Sequence, residues 1–97
     1  MTNVIEVKGP IRDWIAKNSS TLHKEILLSC ENGLSSNDDY VEIVILKTSK
    51  GITKFALSGK EKITNSLNLS MNYYVSTEEY ELAARARDCI KSWKERG

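Results

Sequence analysis

Strict alternation is the most regular pattern in the chain. Leu67, Leu69, Met71, Tyr73 and Val75 stand apart from one another, with Asn68, Ser70, Asn72 and Tyr74 between them. A period of two sends successive side chains to opposite faces, so the pattern predicts a strand with one buried and one wetter face. Two more strands are predicted upstream. Tyr40 to Lys47 reads Tyr-Val-Glu-Ile-Val-Ile-Leu-Lys, rich in β-branched residues. Thr48-Ser49-Lys50-Gly51 is a turn in which Gly51 supplies a positive φ cheaply. Ile52 to Leu57 returns as the partner strand, and Ser58-Gly59-Lys60-Glu61-Lys62 makes the next turn. With connections too short for parallel crossovers, the three strands are expected to form an antiparallel meander.

The helical period marks the two ends of the chain. Val4-Ile5-Glu6-Val7 is a short strand candidate, ended by Gly9-Pro10. Ile11, Trp14 and Ile15 then fall at i, i+3 and i+4, which predicts a short helix over about 10–17 with Pro10 in its first turn. Leu22, Ile26 and Cys30 make a second stripe, with Leu27 beside it, and predict a helix over 21–32. A strand over 25–30 is the competing reading. Asn32-Gly33-Leu34 reads as the stop, with Gly33 taking the left-handed conformation. Ser35 to Asp39 is a polar loop.

The C-terminal helix carries the clearest signature. Ser76 and Glu79 have the spacing of a capping box, and Val75 and Tyr80 that of a hydrophobic staple. Leu82, Ala86, Cys89, Ile90 and Trp93 mark one apolar face, and Glu81 and Arg85 are an i, i+4 pair. The fold class predicted is α+β: short N-terminal helices, a three-stranded antiparallel meander, and a C-terminal amphipathic helix packed on the sheet.

A chain of 97 residues suits one domain spanning 1–97 with one modest core. Forty per cent of residues are hydrophobic and 28% charged, an ordinary globular balance. The net charge of +1 exerts no global pull on nucleic acid or anionic membrane. There is no signal pattern near Met1, and no apolar run approaches the roughly 20 residues that cross a bilayer, so a cytoplasmic location is expected. Cys30 and Cys89 are far apart and are expected to be reduced, small core residues.

His23 is the single histidine, which leaves a metal site short of ligands, and it is expected at the surface or rim. No Gly-x-Ser-x-Gly elbow occurs, and Gly59-Lys60 is followed by Glu61 rather than Ser or Thr, so it is not a phosphate loop. No enzyme activity and no cofactor are expected. Charge is locally polarised. Residues 44–65 hold five lysines (Lys47, Lys50, Lys54, Lys60, Lys62) against Glu61, while residues 1–43 hold four bases against seven acids. Such a basic hairpin can contact phosphates, or its lysines can guard strand edges against aggregation.

The segment Glu79-Tyr80-Glu81-Leu82-Ala83-Ala84-Arg85-Ala86-Arg87-Asp88-Cys89-Ile90 resembles the second half of the UVR motif, found in the excision-repair proteins UvrB and UvrC and in bacterial Clp ATPases and their adaptors. The family pattern is an acid, an aromatic, Glu, any residue, Ala-Ala, two residues, Arg-Asp, any residue and Ile. It is met by Glu79, Tyr80, Glu81, Ala83, Ala84, Arg87, Asp88 and Ile90. The family's motif is a helical hairpin that binds other proteins, often a second copy of itself. The resemblance, spanning about 78–95, implies a helix used for protein contact, with Tyr80, Ala83, Ala84, Arg87 and Ile90 as contact positions. It also implies a helix ahead of this segment, where the alternation over 67–75 reads as a strand.

These features predict a small non-catalytic regulatory or adaptor protein. Its expected partner is another protein, a second copy included. Trp14 and Trp93 are candidate anchors, because tryptophan dominates binding hot spots, although either can be core. Small domains rich in Asn, Ser and Lys also occur among bacteriophage accessory proteins that bind host factors. The alternative function is nucleic-acid binding through Lys47, Lys50, Lys54, Lys60 and Lys62. No membrane partner is expected.

Overall fold

The β-branched run that begins at Tyr40 forms the middle of the sheet. The computed structural model describes residues 2–96, so Met1 and Gly97 lie outside the described residues. In chain order the elements are β1 (Asn3–Glu6), α1 (Ile11–Lys17), α2 (Ser19–Gly33), β2 (Tyr40–Thr48), β3 (Gly51–Ser58), α3 (Lys60–Ser76) and α4 (Tyr80–Glu95). The class is α+β, with a three-stranded sheet in the order β1-β2-β3.

The sheet is mixed and is not an antiparallel meander. Strand β2 pairs antiparallel with β3, for example Lys47 with Ile52, as the Gly51 turn requires. On its other side it pairs parallel with β1, Val4 opposite Ile45 and Ile5 opposite Leu46. A parallel pair needs a long crossover, and α1 and α2 together supply one. The third strand is thus the N-terminal candidate, and the alternating segment over 67–75 is not in the sheet. A bulge between Glu42 and Val44 leaves Ile43 without a partner in the β2–β3 register. The extra residue resets the alternation, and Val41, Ile43, Val44 and Leu46 are all buried.

Residues 67–75 lie inside α3, a 17-residue helix. Its buried positions are Ile63, Thr64, Leu67, Ser70 and Tyr74, which recur at helical spacing. Two members of the apolar set, Leu69 and Val75, face solvent, while Ser70 is fully buried. The alternation over nine residues was real but local. Burial of Ser70 is supported by His23, whose Nδ1 lies 2.8 Å from Ser70 Oγ and whose ring stacks on Tyr73 at 4.4 Å. His23 is therefore an interhelical residue between α2 and α3, not simply a rim one.

The helical reading of α2 holds, with Leu27 and Cys30 buried along its stripe. Gly33 does not take the left-handed conformation, and the helix closes through Leu34 in the right-handed region. Space explains the glycine instead. A Cβ there would stand 3.0 Å from Val41 Cγ2 and 3.2 Å from Trp93 Cζ2. Trp93 is fully buried, and its Nε1 donates to the Cys30 carbonyl at 2.9 Å. This bond ties α4 to α2 through the core.

Helix α4 packs mainly on α3 and α2 rather than directly on the sheet. Its inward face is Ala83, Ala86, Cys89, Ile90 and Trp93. The alanines let α3 approach closely. Arg85 pairs with Glu31 of α2, donating from Nε at 3.1 Å and Nη2 at 2.6 Å, in place of the expected Glu81. An exposed bidentate pair of this kind contributes on the order of 1 kcal/mol. At the end of α4, the Arg96 guanidinium lies 4.5 Å from the centre of the Trp93 ring and donates to the carbonyls of Gly33, Ser36 and Asp38.

The capping box and staple at the start of α4 do not form. Ser76 closes α3, donating from Oγ to the Tyr73 carbonyl at 2.7 Å. The connection is a Schellman motif. Glu79 N donates to Tyr74 O at 2.8 Å, and Glu78 N to Val75 O at 3.1 Å. The residue that must be left-handed is Glu78, with φ of 62°. Glycine is usual there, since a Cβ makes the conformation costly.

Three outcomes are expected. Gly33→Ala should destabilise the protein in urea by about 1 kcal/mol, because an overpacking cost of about 1–3 kcal/mol outweighs a helix-propensity gain of up to about 1 kcal/mol at a helix end. Equal or higher stability would show that Val41 and Trp93 give way freely. Glu78→Gly should stabilise by about 1 kcal/mol, read as a raised Tm, by relieving the left-handed residue. The third concerns pH. Burial holds the His23 imidazole below its usual value of 6.5. As pH falls below that value, the unfolded chain takes up a proton that the folded chain refuses, so folding weakens. The urea midpoint should drop more between pH 7 and pH 5 for the native chain than for His23→Gln; parallel curves would show that His23 is not the group responsible.

Candidate protein-interaction site

The α3–α4 hairpin leaves large apolar side chains in water. Leu69 is 66% exposed on the solvent side of α3. Val75, next to the last residue of α3, is 50% exposed, and Tyr80, the first of α4, is 62% exposed. Val75 and Tyr80 bracket the Schellman turn. Neither contributes to the buried core. Tyrosine offers a large apolar face with one polar tip, a combination enriched at binding hot spots. Acids surround the pair: Glu78, Glu79 and Glu81 are all exposed. Glu79 accepts a 2.5 Å hydrogen bond from Thr77 Oγ1, which fixes the carboxylate against the turn. The tip is thus apolar at its centre and negative around it.

The contact positions expected from sequence divide by burial. Tyr80 and Arg87 are exposed, and among the described residues Arg87 pairs only with its neighbour Asp88, at 3.2 Å. Ala84 is half-buried. Ala83, Ile90 and Trp93 point inward and are part of this domain's own core, as corrections to their expected role in partner contact. Trp14 is half-buried against the same core and is not a free anchor. The sequence pattern does not mark Leu69 and Val75 as contact residues. The signal that would have found them is helical spacing from Ile63, on which both fall off the buried stripe.

The five lysines do not form one basic edge. Lys47, Lys50 and Lys54 belong to the β2–β3 hairpin, whereas Lys60 and Lys62 begin α3. Lys54 pairs with Glu42 at 3.1 Å. Lys60 donates to the Arg96 carbonyl, so it serves the chain's own C-terminal packing.

The remaining reactive groups are largely buried. Ser70 has no exposed surface, so its hydroxyl beside His23 is closed to a substrate. Cys30 and Cys89 are free and buried, and burial pushes their thiols up to about 12 and about 11, which keeps them protonated. The Tyr74 hydroxyl is buried without a hydrogen-bond partner among the described residues. No group of three His, Cys, Asp or Glu side chains that could hold a metal ion occurs among them. Among the described residues no helix is long and apolar enough to cross a membrane.

No curated protein and no solved structure matches the chain. A family model does: UVR, the UvrB/uvrC motif, over residues 61–96. That span covers nearly all of α3 and the whole of α4, so it reaches well beyond the segment from Glu79 to Ile90 that first carried the likeness. The helical first half that the family implies is therefore present, and helices α3 and α4 together are a UVR-like segment built onto a small mixed sheet.

Proposed function

We propose that this chain is a small non-catalytic adaptor that binds another protein through the tip and outer side of its α3–α4 hairpin. One observation carries the reading. In a UVR-like helical hairpin, Val75 and Tyr80 stand half or more exposed on either side of the turn, and the fold has no internal use for them. Leu69 adds a further exposed apolar side chain on the solvent side of α3. The inner side of the hairpin is spent on its own domain, through Ala83, Ala86, Cys89, Ile90 and Trp93. A partner must then be met by the outer side and the tip. The acids around the tip favour a partner with basic residues bordering its pocket, and their main effect is on encounter rate and specificity.

The test uses the tagged chain to capture partners from a bacterial lysate, with and without nuclease, comparing the native sequence with Val75→Ser and Tyr80→Ala. A stoichiometric protein should survive nuclease and be lost at least about tenfold with Tyr80→Ala, the scale of a hot-spot residue. The Tm of both variants should stay near that of the native chain. Trp93→Ala should instead unfold the protein or weaken it by about 3–5 kcal/mol, the usual cost of truncating a buried tryptophan. Light scattering on the purified chain would reveal twice the monomer mass if the partner is a second copy. Recovery abolished by nuclease, or unchanged by Tyr80→Ala and Val75→Ser, would overturn the proposal.

A further inference from the structure

A separate groove lies where the β1–α1 connection passes the tip of the β2–β3 hairpin. It encloses about 550 Å³, within the usual range of roughly 300–1,000 Å³ for ligand clefts. Its apolar walls are Pro10, Ile11 and Ile52. Ile52 is 70% exposed, the most exposed large apolar side chain among the described residues. Gly9 and Gly51 line the same groove, both at positive φ and with open space where a Cβ would stand, so bare backbone faces it. The hairpin tip is held by its own bonds. Thr48 Oγ1 accepts from Lys50 N at 3.1 Å and donates to the Gly51 carbonyl at 3.3 Å.

A second hollow of about 390 Å³ adjoins it, sharing Gly9, Thr48 and Ser49 and lined also by Lys8, Lys47 and Glu6. Three exposed lysines (Lys8, Lys47, Lys50) therefore rim the two hollows against one acid, Glu6. Among the described residues none of the three lysines is in an ion pair, unlike Lys54 nearby.

We infer that this groove binds an extended acidic peptide that seats an aliphatic side chain against Ile11 and Ile52, its carboxylates meeting Lys8, Lys47 and Lys50. The charge of the rim selects the sign of the ligand. The walls select its class. Single-stranded nucleic acid is held by bases stacked on aromatic rings, and no aromatic side chain lines either hollow. Isoleucine walls beside bare backbone suit a peptide side chain and its main chain. The groove shares no residue with the α3–α4 hairpin, and the inference does not rest on the function proposed for that hairpin.

The experiment selects a displayed library of random dodecapeptides on the full chain, with counter-selection on Lys47→Glu/Lys50→Glu. All three lysines and Ile52 are exposed, so the variants are expected to fold with unchanged Tm. Enriched peptides should combine Asp or Glu with Leu, Ile or Val. Their binding should shift the amide resonances of Gly9, Ile11, Lys50 and Ile52. It should weaken at least about tenfold in the double lysine variant, and with added salt. Ile52→Ser should weaken it with the salt dependence kept. The inference is overturned by a selection without enrichment, by enriched peptides that lack acids, or by shifts that fall elsewhere. A single-stranded oligonucleotide that moves the same amides at lower concentration than the peptides would overturn it in favour of nucleic acid.

Discussion

Trp93 is the contact on which the rest of the structure depends. It is the largest side chain removed completely from water, and it is held by α2 and by Arg96 at the end of its own helix. Its Nε1 is satisfied by the Cys30 carbonyl of α2, its ring closes on the hydrogen face of Gly33, and Arg96 caps its outer side. A buried tryptophan needs a partner for its N–H, and its ring needs space beside that partner. Cys30 and Gly33, one turn apart on α2, meet both needs. Because Arg96 also binds the carbonyls of the loop after α2, the same knot fixes where β2 begins.

From that knot the division of surfaces follows. Helix α4 turns its alanines and Trp93 inward, so the small residues of the UVR-like pattern serve the α3–α4 approach. What the core leaves out, and what the proposed partner would meet, is Leu69 on α3, and Val75 and Tyr80 beside a turn whose left-handed residue is Glu78. A glutamate at such a position costs stability that a glycine would spare. Its carboxylate adds to the acidic border of the tip. The trade of local stability for surface chemistry is a familiar feature of binding sites.

The two surfaces proposed for recognition differ in sign. The hairpin tip sets apolar groups among glutamates, and the groove at the β2–β3 turn sets them among lysines. In a chain whose net charge is +1, such separation gives each surface a field of its own while the whole stays near neutral.

Much of this architecture was legible in the sequence because it is written locally. The β2–β3 hairpin follows from a β-branched run, a polar turn and a glycine at positive φ. Helix α4 follows from a stripe of apolar residues at helical spacing, and the UVR likeness from eight residues within it. Helix α2 was legible from Leu22, Ile26, Leu27 and Cys30. Three features were decided only by tertiary structure. Residues 67–75 alternate as a strand would, yet fold as α3, because burial of Ser70 beside His23 and of Leu67 and Tyr74 outweighs a nine-residue period. The third strand is β1, since a parallel pairing depends on where a long crossover returns and not on any local pattern. Gly33 is small for the sake of Trp93, sixty residues away along the chain. Local spacing specifies the helices and the hairpin, because those are made by near neighbours. Which residues are left exposed, and hence where a partner can bind, depends on what distant segments have already covered.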